Sequence, residues 1–158
     1  MNLDTILIAI WHYLPAYFAN AAPVTLGGGP PLDGGENWLD GKPFLGSHKT
    51  FRGSIVGILA GLLIGLIQGN PLIGFTQGLG AILGDLISSF LKRRWDIAPG
   101  ASSPILDQLD FIVVAIILSL PFQNTTMSEI ITILVVTIPI HYLVNYLAWL
   151  TGLKKNPW

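Results

Sequence analysis

Asp85 stands inside an apolar run from Leu72 to Leu91. An ionisable side chain there costs on the order of 2.5–3.5 kcal/mol unless it is paired, bound to a metal or open to water. Ser88, Ser89 and Lys92 follow at offsets of three, four and seven, so on a helix all four share a face. That stripe is either an internal Asp85 to Lys92 salt bridge relayed by the serines or one wall of a polar site. Asp107 and Asp110, three apart at the head of the next apolar run, project both carboxylates from one helical face. Such a pair repels, and the dipole of the helix N-terminus compensates only in part. Capping would account for Asp107 but not for Asp110, a turn deeper. Asp85, Asp107 and Asp110 together offer the oxygen ligands that a hard cation such as Mg2+ prefers. Lys49, Arg52, Lys92, Arg93 and Arg94 add positive charge around them. A metal held by carboxylates and ringed by Lys and Arg suits a polyphosphate, whose oxygens it orients while the cations neutralise developing charge. The basic run also has a plainer reading as an anchor to anionic lipid heads, one that fits Lys92 least because it lies in line with Asp85. His48 is a lone loop histidine that could assist, and Asp96 a more remote partner of the arginines.

The elements that position these groups are helices in a membrane. The chain has 158 residues, 51% hydrophobic and 11% charged, with a mean hydropathy of +0.62. That leaves a soluble domain too little polar surface to cover its core. Apolar runs long enough to cross about 30 Å of hydrocarbon use most of the length. The expected fold is all-α and integral to the membrane, a single domain over 1–158 with five transmembrane helices at about 3–22, 54–67, 72–91, 105–120 and 130–150. Five crossings bring Lys42, Lys49, Arg52, Lys92, Arg93, Arg94, Lys154 and Lys155, all the Lys and Arg of the chain, to one side. The positive-inside rule makes that side cytoplasmic, with the N-terminus outside and the C-terminus inside. A four-span reading scatters the charges. Cysteine is absent, so no disulfide framework or thiolate metal site is available.

Two features mislead. Ala19-Asn20-Ala21 after the first apolar run looks like a signal-peptidase site, but the run begins with Asp4 and no basic residue and contains Trp11, His12 and Tyr13. The segment is expected to stay. Gly46-Ser47-His48-Lys49-Thr50 has a P-loop flavour without its spacing. Gly53, Gly57, Gly61, Gly65 and Gly69 recur at every fourth position, with Gly74 and Gly78, then Gly80 and Gly84, on the next span. Such ribbons are seams where helix backbones approach closely. They predict tight packing of the second and third helices, and a homodimer interface is the lesser alternative.

Gly84-Asp85-Leu86-Ile87-Ser88-Ser89-Phe90-Leu91-Lys92-Arg93, then Asp96, Pro99-Gly100 and Ile105-Leu106-Asp107-Gln108-Leu109-Asp110, resemble the signature of the membrane CTP-dependent cytidylyltransferases, the family of phosphatidate cytidylyltransferase. Asn20-Ala21-Ala22-Pro23, Asp40-Gly41-Lys42 and Leu45 through Gly53 are similar to the N-terminal segment of its short archaeal branch, the CDP-archaeol synthases. The longer bacterial-type members carry a His-Gly-Gly before the paired aspartates and an Arg between them. Here Ala101-Ser102-Ser103-Pro104 and Gln108 stand instead, so nucleotide-base contacts do not transfer.

The resemblance implies transfer of CMP from CTP to the phosphate of an isoprenoid glycerol lipid in the bilayer, with release of pyrophosphate. Asp85, Lys92, Asp107 and Asp110 are then the expected catalytic residues, the three aspartates holding Mg2+. Lys49, Arg52, Ser88, Ser89, Arg93 and Asp96 are the expected substrate-binding residues. No nucleic acid is expected as a partner, and the site is expected to face the cytoplasm from a multi-pass position in the cell membrane. A CDP-alcohol phosphotransferase lacks its Asp-Gly-x-x-Ala-Arg signature here. A transporter would leave acids and bases clustered at one surface without a purpose.

Overall fold

The computed structural model describes residues 2–98, 100–154 and 156. Pro99 and Lys155, both singled out in the sequence, lie outside these residues. Among the described residues there are five helices: α1 Leu3–Leu26, α2 Phe51–Ile67, α3 Pro71–Arg94, α4 Leu106–Ser119 and α5 Met127–Leu150. Among the described residues there is no strand, only two isolated bridges in the loop before α2. The all-α expectation is met, and most of the helices extend beyond the apolar runs that mark them. Thr50 caps α2 by accepting from the Gly53 amide, which starts the helix at Phe51 rather than Ser54. α3 runs on through Lys92, Arg93 and Arg94, cations in a last turn where the helix dipole favours them. α1 continues past Pro23 to Leu26.

Side-chain size is distributed inside out. The core is small and includes Ala9, Ala16, Ala19, Ala81 and Ala115 around Tyr13, Phe111 and Ile112. Leu59, Leu63, Ile87, Ile117, Val135 and Leu147 point outward. Small residues inside and large aliphatics outside are what helices need when lipid is the solvent. α3 and α5 are each long and apolar enough to cross a membrane.

The glycine ribbons are the reason the bundle closes. A Cβ on Gly61 would sit 2.6 Å from the Gly78 Cα, and one on Gly65 would collide with the Gly74 Cα, so α2 and α3 run antiparallel in backbone contact. Further along α2, Gly57 faces the Ala19 carbonyl of α1, which Pro23 leaves without its helical donor. Pro15 likewise frees the Trp11 carbonyl, and the Gln68 side chain donates to it at 2.6 Å. On the other side of α3, Gly80 abuts Ala115 and Gly84 abuts the Asp110 backbone. The seams are therefore filled within one chain. α5 packs on α1 and α4, fixed by Tyr17 donating to Thr137 at 2.6 Å while Thr137 donates to the Ile133 carbonyl.

Candidate active site

The loop from Gly27 to Thr50 brings Lys49 to α3. Asp33 organises it, accepting backbone N–H groups from Leu45 and Gly46 at 2.9 Å and from Gly35 at 3.0 Å. Burial alone would raise the Asp33 carboxyl, but the amides outweigh it and hold it below the usual carboxylate range. The Leu32 amide bonds the Lys49 carbonyl, and the Lys49 Nζ donates to both oxygens of Asp85 at 2.7 Å. Asp85 thus pairs with Lys49, not with Lys92 along its own helix.

Lys92 crosses instead to α4, donating to Asp107 Oδ1 at 2.9 Å. The second oxygen of Asp107 accepts from the Ser103 amide at 2.8 Å. α4 is entered through Ile105 at φ 68°, a conformation costly for a β-branched residue, and that bend brings the Ser103 amide onto Asp107. Asp110 accepts from the Phe111 amide at 2.6 Å, has the Ser88 hydroxyl beside it, and lies in the field of Asp85 and Asp107. Gly84 packs directly against the Asp110 backbone, which brings α4 close to α3 at this point. Ser88 and Ser89 are buried. Arg93, only 5% exposed, lies in the field of Asp107, and its Nε and Nη1 find no acceptor among the described residues.

Other basic residues hold the loop down. Arg94 pairs with Asp40 at 3.1 Å, donates to the Pro43 carbonyl and lies over the Phe90 ring. Lys42 donates to the Arg94 carbonyl and pairs with Asp96 at 2.7 Å. Asp96, expected near substrate as a partner of the arginines, is bound to Lys42 at the surface. Arg52 is exposed at the start of α2, and the His48 side chain reaches Gly100.

α5 contributes residues that the sequence reading passed over. Lys154 Nζ donates to Asn145 Oδ1 at 2.9 Å, and Asn145 Nδ2 lies 3.1 Å from His141 Nδ1. The His141 ring stacks on Phe111 at 6.1 Å and is within the fields of Asp85, Asp107 and Lys154. Burial pulls the Lys154 ammonium below its ordinary range; Lys49 and Lys92 add to this, while Asp107 and Asp85 oppose it. The recoverable signal was a His and an Asn at i and i+4 in an otherwise apolar span.

Among the described residues no three His, Asp or Glu are gathered at metal-ligand spacing. The donor chemistry nonetheless suits Mg2+. Asp85, Asp107 and Asp110 are oxygen donors from two helices, two of them hold a lysine each, and Asp110 has no ion-pair partner among the described residues.

A small-cored helical bundle that gathers Lys49, Lys92, Arg93 and Lys154 with Asp85, Asp107 and Asp110 at one end defines an all-helical intramembrane protein with a polar site of acids and bases. The CarS-like family model, CDP-archaeol synthase, matches residues 2–72 and 70–158. The CDP-archaeol synthase of Thermococcus kodakarensis is 42% identical, covering 99% of this chain and 98% of its own. That of Pyrococcus furiosus is 43% identical over 99% and 100%, and that of Methanocaldococcus jannaschii 38% over 95% and 96%. A solved structure of an intramembrane enzyme for archaeal membrane lipids biosynthesis superimposes with a TM-score of 0.77 at 38% identity, covering 89% of this chain and 94% of that one. The chain belongs to the CDP-archaeol synthase family and is an enzyme, a nucleotidyltransferase of the cytidylyltransferase class.

Proposed function

We propose that this enzyme transfers CMP from CTP to the phosphate of 2,3-bis-O-(geranylgeranyl)-sn-glycerol 1-phosphate, yielding the CDP-activated ether lipid and pyrophosphate. The chain would cross the membrane five times, with its N-terminus outside and its C-terminus and active site cytoplasmic. Family membership supports the reaction, and the collection of Lys42, Lys49, Lys92, Arg93, Arg94 and Lys154 at one end of the bundle supports the orientation. The observation that carries the reading is Arg93, a buried guanidinium with two N–H groups that no oxygen of the described residues accepts. Phosphate oxygens satisfy such a fork.

In the reaction an oxygen of the lipid phosphate bonds to the α-phosphorus of CTP as the bridging P–O bond to the β-phosphate breaks. The phosphomonoester is already largely ionised at neutral pH, its second pKa being about 6, so no general base is required. Positioning and charge neutralisation carry the rate. Lys49, Lys92 and Arg93 supply positive charge, and Ser88 and Ser89 supply hydroxyl donors. Asp85, Asp107 and Asp110 are the residues that would hold Mg2+, which would supply charge screening for the triphosphate.

The test is incorporation of radiolabelled CTP into lipid by the purified protein, with and without Mg2+, and with ATP as competitor substrate. CMP transfer that needs a lipid phosphate and prefers CTP supports the reading. Equal turnover with ATP, or none with either, overturns it.

A further inference from the structure

Residues 141–150 of α5 are unlike the rest of the bundle. Asn145, 8% exposed, is the one buried residue in that stretch, and Leu143, Val144, Tyr146, Leu147, Trp149 and Leu150 are exposed apolar groups around it. His141 and Asn145 therefore make a single polar stripe, one turn apart, on a helix otherwise dressed for lipid. The helix ends in a paired reversal: the Leu153 amide bonds the Ala148 carbonyl, the Gly152 amide bonds Trp149, and Gly152 sits at φ 76°. This reversal sends Lys154 back onto Asn145.

The hydrogen-bond logic of the stripe is directional. Lys154 can only donate, so Asn145 receives at Oδ1 and offers its N–H to His141 Nδ1. The His141 hydrogen is then left on Nε2, as a donor. Lys49 and Lys92 each spend charge on a carboxylate. Lys154 is held by a neutral amide, makes no ion pair among the described residues, and keeps two of its three N–H groups for another acceptor. It still lies in the field of Asp85, Asp107, Lys49 and Lys92.

We propose that Lys154 and His141, positioned by Asn145, bind the phosphomonoester headgroup of the acceptor lipid. On the proposed reading the triphosphate is met by Lys49 of the loop before α2 and by Lys92 and Arg93 of α3. The α5 stripe is instead flanked by exposed apolar side chains and ends at the Tyr146 and Trp149 rings, 5.7 Å apart, a residue pair of the kind that favours the headgroup level of a bilayer. A lipid phosphate with its tails still in hydrocarbon meets this stripe first. The assignment rests on the cytidylyl-transfer reading.

Lys154→Met, Lys154→Arg and Asn145→Leu test it. With CTP saturating, K154M should raise the KM for lipid phosphate about tenfold or more while the KM for CTP moves less than about twofold, and K154R should recover most of the loss. A separate binding measurement uses dioctanoyl phosphatidic acid without nucleotide, with dioctanoylglycerol as the uncharged control. Phosphatidic acid should raise the melting temperature of the wild type and K154R but not of K154M or N145L. G152A, which strains the reversal without touching the charge, should resemble K154M. A rise in the KM for CTP alone would give Lys154 to the triphosphate, and unchanged constants with an unchanged lipid-induced shift would make it structural; either overturns the proposal. Lipid binding through Lys154 in a protein that makes no CDP-lipid would sink the transfer reading and leave the site standing.

Discussion

Lys49 and Asp85, 36 residues apart in sequence, share both carboxylate oxygens with one ammonium at 2.7 Å. One residue ends a folded loop and the other sits within α3, so this contact closes the loop onto the bundle. The same carboxylate is a proposed metal ligand. The pair therefore reports on whether Mg2+ competes with lysine.

Asn at Asp85, Asp107 or Asp110 keeps the side-chain shape and removes a charge, so CMP transfer should fall by about two orders of magnitude or more. Mg2+ should raise the melting temperature of the wild type by mass action and that of the three variants much less. Active but unstable variants whose melting ignores Mg2+ would identify these acids as salt-bridge and capping residues.

Gly61→Ala and Gly65→Ala force a methyl group into the backbone of α3, where Gly78 and Gly74 leave no space. Each should lower stability by about 1–3 kcal/mol. Leu59→Ala, on the exposed face of the same helix, should cost much less, as thermal melts in detergent will register.

The Asp33 carboxyl is held below its ordinary value by the three amides it organises. A depressed carboxyl contributes stability that is present above its unfolded pKa, about 3.9, and is lost as pH falls through the lower folded value. Protection of the Leu45 and Gly46 amides against hydrogen exchange, taken relative to the intrinsic rate at each pH, should therefore fall below about pH 4, and Asp33→Asn should show much of that loosening at neutral pH. An exchange rate indifferent to both changes would rule out this role.

Ile105→Gly relieves a positive φ at the start of α4 and removes a side chain that is mostly exposed. Stability should rise by up to about 1–3 kcal/mol while turnover falls, because the Ser103 amide is no longer fixed on Asp107. A lower melting temperature would show that the isoleucine contacts outweigh the strain.

Reporters placed before Met1 and after Trp158, termini that lie outside the described residues, should read external and cytoplasmic respectively. Opposite signals would overturn the five-span topology.

The helices were legible because hydropathy marks long apolar runs, and the α2 to α3 seam because glycine at every fourth position has few other uses in a span. The acids and bases of the site were legible as a set but not as pairs. Spacing along α3 put Lys92 in line with Asp85, whereas the crossing of α3 and α4 gives it Asp107 and leaves Asp85 to a loop lysine. Arg94 and Asp96 read as site residues from their neighbours in sequence, yet they bind Asp40 and Lys42 of the loop laid over them. His141 and Asn145 were submerged in the hydropathy of α5, and Lys154 joins them only through the turn at Gly152.

The glycine seam also governs how the molecule can move. Where α2 and α3 meet through backbone alone, no side chain can change rotamer to let them slide, so the site wall bearing Asp85 behaves as a fixed jaw. α5 packs on α1 and α4 through Thr132, Ile133, Thr137 and Asn145 and has no backbone seam to hold it. On the proposed reading, an acceptor entering from the bilayer would meet the more yielding side of the site at α5, while the opposite wall keeps its register.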